Sequence, residues 1–355
     1  MTGKNSLSLG VFMPNCSNMP SISTHGVVAD QWQYPNNERI ALLAESLGFD
    51  YLFPVSRWRG FGGETNYLGT SLETTTWAAA LLRATERIKI FSTVHVPLFH
   101  PMVIAKIGAT LAHISHDRWG LNVVSGWSQR EFEMMGLELD DHGRRYERTS
   151  AFVEILRGLW NTAGEPLNHR SDWYSINNGV SLPRPDKMPE IANAGISPDA
   201  QAMTARLCDW SFMSGASIEA LPRLVDGIKS QAQSQGRQVR TAIFPFLLWG
   251  DSEAAAQEEL QQIIAHKDGE AARNWLDGIS AGSGSFDEFT ENMIAASGGG
   301  LPLLGTAEMV AEQLRAIHES GVDAVMVTLQ DYERDLRRFG AEVLPILRRM
   351  GVVRA

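Results

Sequence analysis

Short apolar runs alternate along the chain with longer segments whose apolar positions recur at helical spacing. Leu7–Pro14 reads as a strand stopped by proline. A helix through Ile40, Leu42, Leu43 and Leu47 follows, capped by Asn36 or Asn37 and ended by Gly48. The same unit recurs. Strands are expected at Tyr51–Val55, Ile88–Val94, Arg118–Val124, Glu190–Ala194, Trp210–Met213, Ala242–Trp249 and Ala324–Leu329. Helices are expected from Ser71 as cap to Thr85, from His100 or Pro101 to Ser115, and from Arg145 to Trp160. Others fall at 198–207, 218–234 and 252–266, from the cap Thr306 to Ser320, and from Leu336 to Met350 with a kink at Pro345. Pro245 must sit at a bulge or an unpaired position of its strand.

This alternation predicts an α/β fold, a (β/α)8 TIM barrel with insertions, as one domain over 1–355. An open doubly wound sheet is the alternative, but no G-x-G-x-x-G follows the first strand. The alternation lapses twice. Asp172–Ile176 and Val180–Leu182 read as a hairpin excursion near 164–185, turning at Asn177-Asn178-Gly179. Residues 267–304 contain Ala281-Gly282-Ser283-Gly284-Ser285 and Ser297-Gly298-Gly299-Gly300, and read as a mobile lid or as a packing insertion.

Composition narrows the function. A formal charge of −10 disfavours nucleic acid or an anionic membrane as the main partner. Cys16 and Cys208 are too few for a disulfide framework or a Cys-rich metal site. No H-E-x-x-H occurs, and no metal set is expected. Met1–Ser6 lacks an apolar signal region and no run is long enough to span a bilayer, so a cytoplasmic enzyme is expected.

The candidate chemistry lies at strand ends, where barrel enzymes keep it. Asn122 interrupts an apolar strand, so it is either a satisfied structural amide or part of a site. Thr93 and His95 end the third strand, His95 as a structural histidine or at the barrel mouth. Arg57-Trp58-Arg59 with Gly60, Gly62 and Gly63 suits an anion, a planar ring or a solvated loop. Gly195 permits close backbone approach, and Ser197 before Pro198 is a helix N-cap, an anion site, or both. Arg144-Arg145-Tyr146 places cations at a helix start against the dipole, which an anionic ligand or a surface ion pair explains. Trp58, Trp119, Trp127 and Trp249 offer stacking surfaces for a flat substrate.

These pieces, in this order, resemble the bacterial luciferase-like flavin monooxygenases, within them the group of pyrimidine and dimethylsulfone monooxygenases. The matching segments are Leu9–Pro14, Ile22–His25, Arg59–Gly63, Asn122–Trp127, Glu131–Gly136, Arg144–Glu147, Leu304–Thr306 and Phe339–Pro345. The resemblance implies a barrel that takes reduced FMN from a separate NAD(P)H-dependent flavin reductase and uses O2. Ser56 and Arg57 would lie by the flavin ring. Asn122, Glu131, Arg145, Tyr146 and Ser197 would bind FMN, with Gly195 beside them. Phe53, Val55, Thr93, Asn122 and Trp127 would line the oxygen pocket, Val55 standing where the pyrimidine enzymes have Met. A flavin peroxide at N5 or C4a is implied. The expected reaction is oxidative cleavage of an N-heterocyclic carbonyl compound, a pyrimidine or a flavin-like ring, near His95, Trp58 and Trp249. C–S cleavage of a small sulfone or sulfonate, a non-catalytic flavin-binding barrel and a flavin-independent hydrolase are the alternatives. A homodimer or homotetramer is expected by analogy.

Overall fold

Twelve strands are named in the computed structural model, which describes residues 6–161, 164–214, 217–280 and 287–354. They are β1 Ser8–Phe12, β2 Tyr51–Phe53, β3 Lys89–His95, β4 Trp119–Val124, β5 Leu167–Arg170 and β6 Ser175–Gly179, followed by β7 Glu190–Asn193, β8 Trp210–Met213, β9 Arg240–Ile243, β10 Pro245–Trp249, β11 Leu301–Gly305 and β12 Ala324–Val327. Eight strands close a barrel in the order β1-β12-β9-β8-β7-β4-β3-β2. Parallel strands with helical crossovers are covered on both faces, which is why these segments are apolar almost throughout. Val11, Leu52, Val123, Ile191 and Val325 are fully buried.

The chain divides into two compact units. One comprises Met1–Leu72, Met213–Gly227 and Thr241–Ala355. In it β1 pairs with β2 and β12, and β12 with β9, all parallel. Its first helix, Tyr34–Leu47, starts before either expected cap, because Pro35 suits the first turn. Asn37 lies inside that helix and donates to the Gln31 carbonyl at 2.7 Å, pinning the loop after β1. The expected seventh strand is two strands: β9 stays in the barrel, and β10 starts at Pro245 to pair with β11. Proline has no N–H to continue a ladder, so the break falls there.

Residues 267–304 carry more regular structure than their punctuation suggests. Helices Gly269–Ser280 and Glu288–Ser297 precede β11. Ala271, Ala272, Leu276, Ala295 and Ala296 are buried. The Asp268 carboxylate accepts from Thr65 N at 2.7 Å and Oγ1 at 2.9 Å. The stretch Ala281–Ser285 lies outside the described residues. Near the C-terminus a π-helical turn, Phe339–Val343, separates helix Tyr332–Arg338 from helix Leu344–Arg349, whose first turn holds Pro345.

The second unit comprises Glu73–Phe212 and Ile228–Arg240. In it β3, β4, β7 and β8 pair in parallel in that order. Helix Thr74–Ala84 is capped by Glu73, not Ser71: its carboxylate accepts from Thr75 N at 2.8 Å and Thr76 N at 2.7 Å. An anionic acceptor at the positive helix end outcompetes a hydroxyl. Burial alone would raise the Glu73 carboxyl, but these donors hold it below its ordinary value. The hairpin is β5 against β6, antiparallel, and turns at Ser171–Tyr174. Asn177, Asn178 and Gly179 lie in β6 instead, with Asn178 at φ +49° where the register shifts. Asparagine tolerates that conformation in a bulge as readily as in a turn.

Candidate active site

The polar residues of β3 and β4 meet. Thr93 and Asn122 are register partners, and Asn122 Nδ2 donates to Thr93 Oγ1 at 3.3 Å. Thr93 is 5% exposed and Asn122 is 4% exposed. The Thr93 backbone is clamped by Thr74, whose Oγ1 donates to the Thr93 carbonyl at 2.6 Å and accepts from its N–H at 3.1 Å. Asn122 Oδ1 is buried and has no partner among the described residues. A buried acceptor left unsatisfied costs about 1–3 kcal/mol, which a bound donor would relieve. Exchanging the amide oxygen and nitrogen keeps the contact with Thr93 and turns the amide N–H groups to the unpartnered side.

The loop after β4 is shaped from two directions. Gly126 sits at φ +101°, and a Cβ there would lie 2.9 Å from Phe132 and Leu139. Arg145 Nη1 donates to the Gly126 carbonyl, so the guanidinium holds the loop that carries Trp127. Arg145 Nε is buried and has no partner among the described residues. Thr149 Oγ1 lies 2.8 Å from Ser125 Oγ and supports the same loop. Glu131, in the short helix Gln129–Glu133, is 2% exposed. His95 is buried against the Phe132 ring, with centroids 6.2 Å apart.

Helix His142–Trp160 begins before Arg145, so the arginine lies within the first turn. Arg144 points elsewhere: it pairs with exposed Asp172 at 3.4 Å and lies over Trp173, a surface contact of the hairpin. Tyr146 reaches the loop after β7. A Cβ on Gly195 would lie 2.7 Å from the Tyr146 hydroxyl and 2.5 Å from the Ala200 Cβ. Ser197 caps helix Pro198–Leu207, its Oγ accepting from Ala200 N at 3.3 Å. His142 and Asp199 bridge the two helix starts at 3.2 Å.

In the other unit, Phe53 ends β2 and is 3% exposed. The Val55 backbone is held on both sides by Asn15, which accepts from Val55 N at 2.9 Å and donates to its carbonyl at 2.7 Å. Sequence reasoning passed over Asn15; the signal available was a polar residue directly after the strand-ending Pro14. Ser56 is partly buried, Arg57 is largely buried, and Trp58 is 40% exposed. The Arg57 carbonyl accepts from Ser71 Oγ at 2.6 Å, the hydroxyl expected to cap a helix.

Two tryptophans drop out as stacking surfaces. Trp249 is 6% exposed, donates to Glu342 at 2.6 Å and lies under Arg338. Its ring is committed to the C-terminal segment. Trp119 is buried on the helix side of β4, edge-on to Trp160, with its N–H on Ser92 at 3.0 Å. Among the described residues, no cluster of three or more His, Cys, Asp or Glu side chains could hold a metal, and no helix is long and apolar enough to cross a membrane.

The profile of luciferase-like monooxygenases matches residues 8–324. The chain is 31% identical over 329 residues to an FMNH2-dependent dimethylsulfone monooxygenase of Pseudomonas fluorescens (strain Pf0-1), covering 90% of this chain and 88% of the relative. It is 29% identical over 356 residues to the pyrimidine monooxygenase RutA of Cronobacter turicensis, covering 96% and 93%. Among solved structures, a riboflavin lyase (RcaE) with modified FMN and riboflavin superposes with a TM-score of 0.83 at 21% identity, over 98% of this chain and 93% of that one.

Proposed function

The chain belongs to the luciferase-like monooxygenase family, and from that premise we propose that it oxidises a small N-heterocyclic carbonyl compound, a pyrimidine or a flavin-like ring, with reduced FMN and O2. Bound reduced FMN supplies two electrons, one oxygen atom joins the substrate and the other leaves as water. The observation that carries the reading is the buried pair Thr93 and Asn122, with an amide atom that no described residue satisfies. Dipoles fixed in a water-poor barrel stabilise charge developing on oxygen without reorganising.

The residues fit FMN. Ser197, the positive end of the helix it caps and Arg145 Nε, which has no partner among the described residues, suit a phosphate. Gly195 leaves its backbone open to close approach beside Tyr146. Glu131 and Asn122 serve the rest of the cofactor. Trp127, on the loop that Arg145 holds, lines the oxygen pocket. The family pattern assigns Ser56 and Arg57 to the ring, Phe53 and Val55 to oxygen, and His95 and Trp58 to the substrate. Within 267–304, helices Gly269–Ser280 and Glu288–Ser297 serve as the lid that keeps water out. The protein works in the cytoplasm, as a homo-oligomer, with a flavin reductase supplying reduced FMN.

A second reading, C–S cleavage of a sulfone, is favoured by the 31% identity to the dimethylsulfone enzyme. The test supplies a flavin reductase, NADH and FMN under 18O2, with uracil or dimethylsulfone as substrate. The expected outcome is 18O in a uracil product and none from dimethylsulfone. Conversion of dimethylsulfone alone replaces the first reading with the second. Failure to bind reduced FMN in an anaerobic titration sinks both.

A further inference from the structure

Asn193 ends β7 and is 2% exposed. Its side-chain amide joins three elements. Nδ2 donates to the Val123 carbonyl of β4 at 2.7 Å. Oδ1 accepts from Gly195 N at 2.9 Å and from Thr204 Oγ1 at 3.3 Å. The neighbours fix which atom is which: a backbone N–H must face the oxygen and a carbonyl must face the nitrogen. One buried amide therefore ties the strand that carries Asn122 to the loop that carries Gly195 and Ser197, and to the helix that Ser197 caps.

The loop has little room for error. Gly195 is pressed between Asn193 Oδ1, the Tyr146 hydroxyl and Ala200, each within 3.0 Å of where a Cβ would stand. Ile196, the next residue, is 62% exposed, so the buried anchor of the loop lies at Asn193 and Gly195. The place of Ser197 relative to Tyr146 is thus set from the Asn193 side. Helix N-termini bind phosphate only when their N–H groups are aimed at it, so this anchor governs the aim.

We propose that Asn193 is a positioning residue for the phosphate end of the flavin, setting the preference for FMN over unphosphorylated riboflavin. This rests on the reading that FMN binds with its phosphate at Ser197. Asn193 acts through Gly195 and Ser197 and does not touch the reacting atoms.

The experiment is anaerobic titration of the intact protein with reduced FMN and with reduced riboflavin, for wild type and Asn193→Asp. The carboxylate cannot donate to the Val123 carbonyl and repels it, while keeping the size of the side chain. The expected result is a fall in FMN affinity of roughly tenfold or more, with riboflavin affinity unchanged, so the preference collapses. A variant that keeps the wild-type ratio, or weakens both flavins equally, overturns the proposal, since a general packing role moves both. Asn193→Ser, smaller and uncharged, applies the same criterion if the aspartate variant does not fold. Wild type without any preference for FMN overturns the phosphate reading itself, and the proposal with it.

Discussion

Thr93 and Asn122 stand opposite each other on β3 and β4, joined at 3.3 Å and shut away from water. Two polar side chains at register partners of a parallel barrel are expensive unless they do something. The pair makes a direct prediction. Asn122→Leu and Thr93→Val are near-isosteric and remove only polarity. Substrate oxygenation should fall by roughly 10²-fold or more in each, as for removal of a charge-stabilising donor. Reduced FMN should still bind Thr93→Val as it binds wild type, and should bind Asn122→Leu more weakly but measurably, because the phosphate contacts are elsewhere. Steady-state oxygenation beside anaerobic titration checks both parts, and an unchanged rate contradicts the role.

Gly195→Ala tests the close approach at the β7 loop. The added methyl would meet Ala200 at 2.5 Å and the Tyr146 hydroxyl at 2.7 Å. The loop must shift, at a cost of about 1–3 kcal/mol for overpacking. Chemical denaturation should show that loss, and titration should show weaker FMN binding.

Trp249→Phe separates packing from substrate contact. The variant loses the hydrogen bond to Glu342 but keeps an aromatic ring. Stability should drop by about 1–2 kcal/mol. KM for the substrate should stay at the wild-type value. A raised KM would return Trp249 to the substrate site.

Glu190 predicts a pH dependence. It accepts from Trp210 Nε1 at 2.7 Å and pairs with Arg240 at 2.8 Å and with Lys89. Burial alone would raise its carboxyl, but Arg240 and Lys89 outweigh burial and hold it below its ordinary value. A depressed folded value means the contribution is fully present above the ordinary value of 4.5 and is lost as pH falls through the folded one. Glu190→Gln should therefore be less stable than wild type at neutral pH, by about 1–3 kcal/mol. The gap should narrow on acidification. Urea melts at neutral and acidic pH check it, and a constant gap rules out the charge as its source.

Most strands could be read from the chain to within a residue or two, because parallel barrel strands are apolar on both faces and end at recognisable breaks. Boundaries set by competition were not readable. Ser71 and Glu73 are both plausible caps in one dimension; only the fold shows that the Arg57 carbonyl already holds the Ser71 hydroxyl. Pro245 announced an irregularity but not that the chain would leave the barrel and start a second sheet. The glycine punctuation of 267–304 drew attention away from helix Gly269–Ser280, although Ala271, Ala272, Trp275, Leu276 and Ile279 recur at helical spacing, and from the shorter helix Glu288–Ser297.

The site divides in the same way. By themselves, the residues marked the places: a polar interruption at Asn122, a glycine and a cap at Gly195 and Ser197, cations at Arg144 and Arg145. Those are local exceptions to an apolar or helical pattern, and a local exception is visible in one dimension. Partner identity belonged to the tertiary structure. It joined Thr93 to Asn122, turned Arg145 toward Gly126 and Arg144 toward Asp172, removed Trp119 and Trp249 from the site, and made Asn193 the tie between strand and loop. A hydrogen bond depends on distance and direction between residues far apart in the chain, and only the closed packing of strands and helices fixes those.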